Sequence, residues 1–96
     1  MYVVIFKAKL KYVDQAYYET AKTLRQRAYM FGCSRFESYS ESGWELTLSY
    51  WPDRESIKRW GQDPDHQQAQ LKGATHWYAE HFVDIAKVET INPAHK

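Results

Sequence analysis

The chain has 96 residues, with 13 Lys and Arg against 12 Asp and Glu and four histidines, a formal charge of +1. At 44% hydrophobic and 26% charged, with four Gly and three Pro, it has the composition of one globular domain rather than a disordered or fibrous chain. Acids and bases are interspersed, so there is no charge footprint for nucleic acid or an anionic membrane, and no apolar run approaches the roughly 18 residues of a membrane helix.

A single cysteine, Cys33, cannot make an internal disulfide, and Met1 to Lys7 lack the basic start and long apolar run of a leader; both point to a cytoplasmic address. Aromatic residues make up 17% of the chain, a content that suits a core, a cavity wall or a subunit interface.

Tyr2 to Leu10 opens with Val3, Val4, Ile5 and Phe6 and reads as a strand. Asp14 is placed to cap a long amphipathic helix carrying Val13, Ala16, Tyr17, Ala21, Leu24, Ala28 and Phe31 at spacings of three or four, stopped by Gly32. Cys33 to Ser40 alternates loosely, Glu41-Ser42-Gly43 supplies a turn, and Trp44, Leu46, Leu48 and Tyr50 line one side of a second run, which together predict a hairpin. Trp51-Pro52-Asp53 ends that strand and caps a short helix holding Ile57 and Trp60. Asp63-Pro64-Asp65 starts a second helical piece with Ala69, Gln70, Gly73 and Trp77, and a last strand follows from near Tyr78 through Val88. Residues 1–91 form one domain on this reading, and 92–96 a frayed tail.

The order β-α-β-β-α-β, with the second helix broken in two, predicts a ferredoxin-like α+β fold: a four-stranded antiparallel sheet with its helices on one face. Val3 and Ile5 alternate with Val4 and Phe6, and Thr47 and Trp51 lie opposite Leu46, Leu48 and Tyr50, so both sheet faces are partly apolar. One chain has no helices left for the second face, and a second copy stacking sheet on sheet is the expected cover, a homodimer. Val4 and Val88 are considered for the partner-facing side.

No Gly-rich phosphate loop, paired-cysteine motif or His-Glu-x-x-His helix is present, so nucleotide and zinc chemistry have no support. His66, His76 and His81 lie ten and five residues apart, not the three or four that place two metal ligands on one helical face, and no metal site is expected. Cys33 is better placed as a small buried apolar residue than as a nucleophile. Glu55, Asp63, Asp65 and Glu80 suit caps, dipole partners or solvated faces.

The stretch from Tyr50 to Tyr78 has an aromatic pair ending a strand, Asp53 at a helix start, Trp60 within that helix, His66 and Ala69-Gln70 in the next, and Trp77-Tyr78 before the last strand. This pattern resembles the antibiotic biosynthesis monooxygenase domain over almost the whole chain. The resemblance implies a dimeric α+β barrel with a pocket between each sheet and its helices. It also implies an oxygenase that uses no metal or flavin and acts on a small aromatic or quinol-like compound, whose anion reduces oxygen directly. The same fold also serves non-catalytic dimeric modules that bind a small molecule or accompany stress responses, and these are the alternative. Haem degradation is less favoured: the haem-degrading branch places a histidine ligand where this chain has Gln70, and an asparagine in the first strand where it has Phe6 and Lys7.

For the oxygenase branch the resemblance makes Tyr50, Trp51, Trp60 and Trp77 candidate wall residues. Arg35, His76 and Tyr78 become polar contacts, and His66 the candidate catalytic residue. Trp60 suits the core better than the cavity wall, because burying an indole stabilises by roughly 2–3 kcal/mol, and Tyr50 and Trp51 suit a cover for the sheet.

Overall fold

In the computed structural model, which describes residues 1–89, the β-branched N-terminal run forms β1 (Tyr2–Leu10). Asp14 caps α1 (Gln15–Met30), its carboxylate accepting from the Tyr17 N–H at 2.9 Å and satisfying a first-turn donor the helix cannot pair. The chain leaves α1 through Gly32 at φ +113°, a left-handed geometry that glycine adopts freely.

Strands β2 (Arg35–Glu41) and β3 (Trp44–Trp51) pair as the expected hairpin. Ser42 and Gly43 form its two-residue turn with φ of 52° and 83°, both positive as the twist of a tight hairpin demands. Asp53 caps α2 (Arg54–Gly61), accepting from both the N–H and the hydroxyl of Ser56. Asp63 caps α3 (Pro64–Lys72), where Pro64 occupies a position whose N–H would have no helical acceptor. A π-helical turn, Gly73–Trp77, then leads into β4 (Tyr78–Lys87); the sequence does not announce that turn. The tail expected over 92–96 lies outside the described residues.

The sheet is antiparallel in the order β2-β3-β1-β4, so the fold is the ferredoxin-like α+β arrangement. Register assigns the faces. Val4, Phe6 and Ala8 pair with Ser49, Thr47 and Glu45 on one side and Ile85, Val83 and His81 on the other, and this face carries the helices. Val3, Ile5, Leu46, Leu48, Tyr50 and Phe82 share the opposite face. The core is built of Val4, Ala28, Cys33, Trp51 and Trp60.

Val4 is therefore not a partner-facing residue: it is 8% exposed beneath the helices. Val88 lies just past β4, where its N–H donates to the Met1 carbonyl at 2.9 Å. Cys33 is buried, its thiol donates to the Arg35 carbonyl, and burial pushes its pKa up, which suits packing rather than nucleophilic chemistry. Among the described residues no helix is long and apolar enough to cross a membrane.

Candidate functional site

The helices do not close down on the whole sheet. Between them lies a cavity of about 800 Å³, floored by Phe6, Glu45, Thr47 and Val83 and walled by Trp60, Trp77 and Tyr78. Its volume suits a drug-sized ring system, and its lining is mainly aromatic and aliphatic with a few polar groups, the usual make-up of a small-molecule site.

One end is organised by Asp63. Besides accepting from the His66 N–H at 3.3 Å, its carboxylate takes the Arg27 Nε–H at 2.7 Å, fastening the start of α3 to α1. The Arg27 guanidinium holds this carboxyl below the ordinary range, against the opposing effect of burial. The His66 ring is thereby set 4.1 Å from the Trp60 ring, which in turn lies 5.0 Å from Trp51. Burial lowers the His66 pKa below its ordinary 6.5, with the Asp63 charge opposing only in part, so the imidazole is neutral at pH 7. Among the described residues neither His66 Nδ1 nor Trp60 Nε1 has a hydrogen-bond partner.

The other end is organised by Glu45. The Tyr17 hydroxyl donates to one carboxylate oxygen and Thr47 Oγ1 to the other, the latter at 2.8 Å. Burial raises the Glu45 pKa, and the Thr47 bond opposes it. Tyr17 meets the edge of Trp77 at 5.4 Å, and Trp77 Nε1 donates to the capping Asp14 at 3.2 Å, so the cap of α1 also positions a cavity wall. Tyr78 stands 5.3 Å from Phe6 and 5.7 Å from His81; burial and the Glu45 charge both push its phenol pKa well up.

Of the residues singled out from sequence, Trp60, His66, Trp77 and Tyr78 line this one cavity. Trp51 does not: it is fully buried behind Trp60, with its indole N–H donating to Ser49 Oγ at 2.9 Å. Tyr50 and Arg35 are cross-strand partners on the face away from the helices, the guanidinium 4.1 Å above the phenol ring and paired with Glu37 at 2.8 Å. Strand alternation is the reason, since Tyr50 sits between inward-facing Ser49 and Trp51. His76 is exposed on the π-helical turn, its Nδ1 2.7 Å from Thr75 Oγ1.

The sequence reading missed Glu45, Tyr17, Phe6 and His81. A signal was present for Glu45, because the alternation that places Thr47 on the helix side places Glu45 there too. Among the described residues no three of His, Cys, Asp and Glu gather in a metal-binding cluster.

The fold, though not the lining of the cavity, can be compared with solved structures. The chain superposes on an antibiotic biosynthesis monooxygenase with a TM-score of 0.76 at 14% identity, covering 94% of this chain and 100% of that one. On SnoaB, a cofactor-independent oxygenase from Streptomyces nogalater, it does so with a TM-score of 0.70 at 11% identity, covering 96% of each. No family model matches the chain.

Sequence relatives are nearer. The chain is 36% identical over 90 residues to the uncharacterized protein YqjZ of Bacillus subtilis, covering 92% of this chain and 79% of that one. It is 32% identical over 93 residues to the jasmonate monooxygenase ABM of Pyricularia oryzae, covering 92% of this chain but only 43% of that protein. The chain therefore belongs to one family with YqjZ, and its fold is that of the antibiotic biosynthesis monooxygenases.

Proposed function

We propose that the protein is a monooxygenase of the antibiotic-biosynthesis type that acts, without a cofactor, on a small aromatic or quinol-like compound. The observation that carries this reading is the cavity itself, with a neutral, half-buried His66 against the ring of Trp60 at one end of an aromatic wall. A cofactor-independent oxygenase among the fold neighbours and a monooxygenase among the relatives support it.

The chemistry asks little of the protein. An electron-rich phenol with a free para carbon reacts with oxygen to give a quinone and water: one oxygen atom enters the ring, the other leaves with the two hydrogens, and the ring supplies the electrons. The protein's part is to hold the ring flat, handle the phenolic proton and exclude water. Trp60, Trp77 and Phe6 do the first, and His66 is the candidate for the second, as a hydrogen-bond donor to the phenol oxygen that favours the phenolate.

The test is oxygen uptake with 1-naphthol and dihydroxynaphthalenes. Consumption above the no-protein rate is expected, falling by at least about tenfold in His66→Ala, as for loss of a proton-handling group. Saturable quenching of tryptophan fluorescence by these compounds without faster uptake would leave a small-molecule binding module instead.

The functional unit on this reading is a homodimer. Ile5, Leu46 and Leu48 are only half-buried and Phe82 is 53% exposed on the face without helices, an apolar surface that a second sheet would cover. Sedimentation at micromolar concentration should give twice the chain mass. Leu48→Asp, placing an unpaired charge in that interface, should give the single-chain mass; a wild-type monomer would exclude the barrel.

A further inference from the structure

The cavity has two polar ends of different hydrogen-bonding character. Glu45 is an acid on a sheet face whose other cavity-lining positions on β1 and β3 are Val4, Phe6, Thr47 and Ser49. It is fixed there by two donors, the Tyr17 hydroxyl from α1 and Thr47 Oγ1 from its own strand. Thr47 lies 3.1 Å from Ser38 Oγ on the neighbouring strand, so Ser38, Thr47 and Tyr17 can all direct protons toward the carboxylate. Each carboxylate oxygen keeps a second lone pair, and the residue lines the cavity. Such a group accepts hydrogen bonds and repels anions.

His66 has the complementary character. Its Nδ1 is buried with no partner among the described residues. A buried donor without an acceptor is a costly orphan, so the favoured neutral tautomer carries its proton on Nε2 and leaves Nδ1 bare. In that form the imidazole offers the cavity an N–H.

We propose that Glu45 is a specificity-determining residue, the acceptor that selects ligands presenting a hydroxyl, and that His66 Nε2–H faces an oxygen acceptor at the other end. The ligand this describes is an uncharged ring oxygenated at both ends, with at least one free hydroxyl. A carboxylate at the Glu45 end is disfavoured by like charge. Contact or register places Tyr17 from α1, Tyr78 from β4, Thr47 on its own strand and Ser40 on β2 next to Glu45; Lys22 and Arg25 of α1 also line the cavity, but among the described residues neither forms an ion pair with Glu45. This assignment rests on the proposed aromatic substrate class and narrows it.

The experiment is calorimetric titration under argon of the unmodified protein with 1,4-dihydroxynaphthalene and with 1,4-dimethoxynaphthalene, which has the same ring and oxygens but no donor. The diol should bind at least about tenfold more tightly, the scale of a hydrogen bond to a charged acceptor. In Glu45→Gln the gap should shrink to less than about threefold. Equal binding of diol and ether to the unmodified protein overturns the role of Glu45 while leaving an aromatic-binding cavity intact, and this comparison decides even if the variant does not fold. A full gap retained in a folded Glu45→Gln also overturns it. Failure of both compounds to bind removes the proposed substrate class and this assignment with it.

Discussion

Replacing Trp60 with alanine is expected to lower the unfolding free energy by about 3–5 kcal/mol, the cost of emptying an indole-sized space in a core. The residue is 8% exposed and packed between Trp51 and His66, so its loss leaves a void on one side and strips the cavity wall on the other. Two consequences should appear together: a denaturant midpoint shifted with little change of slope, and loss of saturable fluorescence quenching by 1,4-dihydroxynaphthalene. Trp60→Phe separates them, because it keeps an aromatic ring over Trp51 while shortening the face presented to the ligand. A stability loss below about 1 kcal/mol in the alanine variant would show that the ring is not part of the core.

The second large effect is expected at Gly73. A methyl group built there falls onto the ring of Tyr78, within 2.9 Å of its Cδ2, and that ring is backed by Phe6. Gly73→Ala should therefore cost about 1–3 kcal/mol, as overpacking does, although alanine is the better helix former. Removing the ring should reverse the sign: in a Tyr78→Ala background the same change is expected to be neutral or to stabilise by about 0.5–1 kcal/mol. Thermal melts of the four proteins check this, and additive losses would exclude the clash.

Much of the fold was legible because its punctuation is local chemistry. Asp14, Asp53 and Asp63 each cap the helix that follows, and the Ser42-Gly43 turn forms the hairpin. These signals act within a few residues and need no tertiary partner. The π-helical turn was not legible. It lets two successive aromatics, Trp77 at 2% exposure and Tyr78 half-buried, both pack inward, which neither a helical nor a strand period provides.

The candidate site was half legible for a related reason. Trp60, His66, Trp77 and Tyr78 come from the segment after β3 and converge because α2, α3 and the turn fold back over the sheet. The family resemblance groups Tyr50, Arg35 and Trp51 with them, yet strand alternation sends the first two to the other face, and Trp51, on the helix side, packs into the core instead. Glu45 was passed over because its importance depends on Tyr17, 28 residues away, a juxtaposition that only the folded chain reveals.

The place of β1 in the middle of the sheet has a kinetic meaning. It is flanked by β3 and by β4, whose pairing partners run from Tyr2↔Lys87 to Leu10↔Tyr78, so closing that ladder brings together segments separated by most of the described chain. The β2–β3 hairpin, joined by a two-residue turn, is a local event, whereas the β1–β4 closure is the slow kind that high contact order imposes. The cavity floor takes Phe6 and Val83 from the two sides of that closure. A partly folded chain therefore has no binding site to offer, and ligand affinity should report completion of the last strand rather than collapse of the helices.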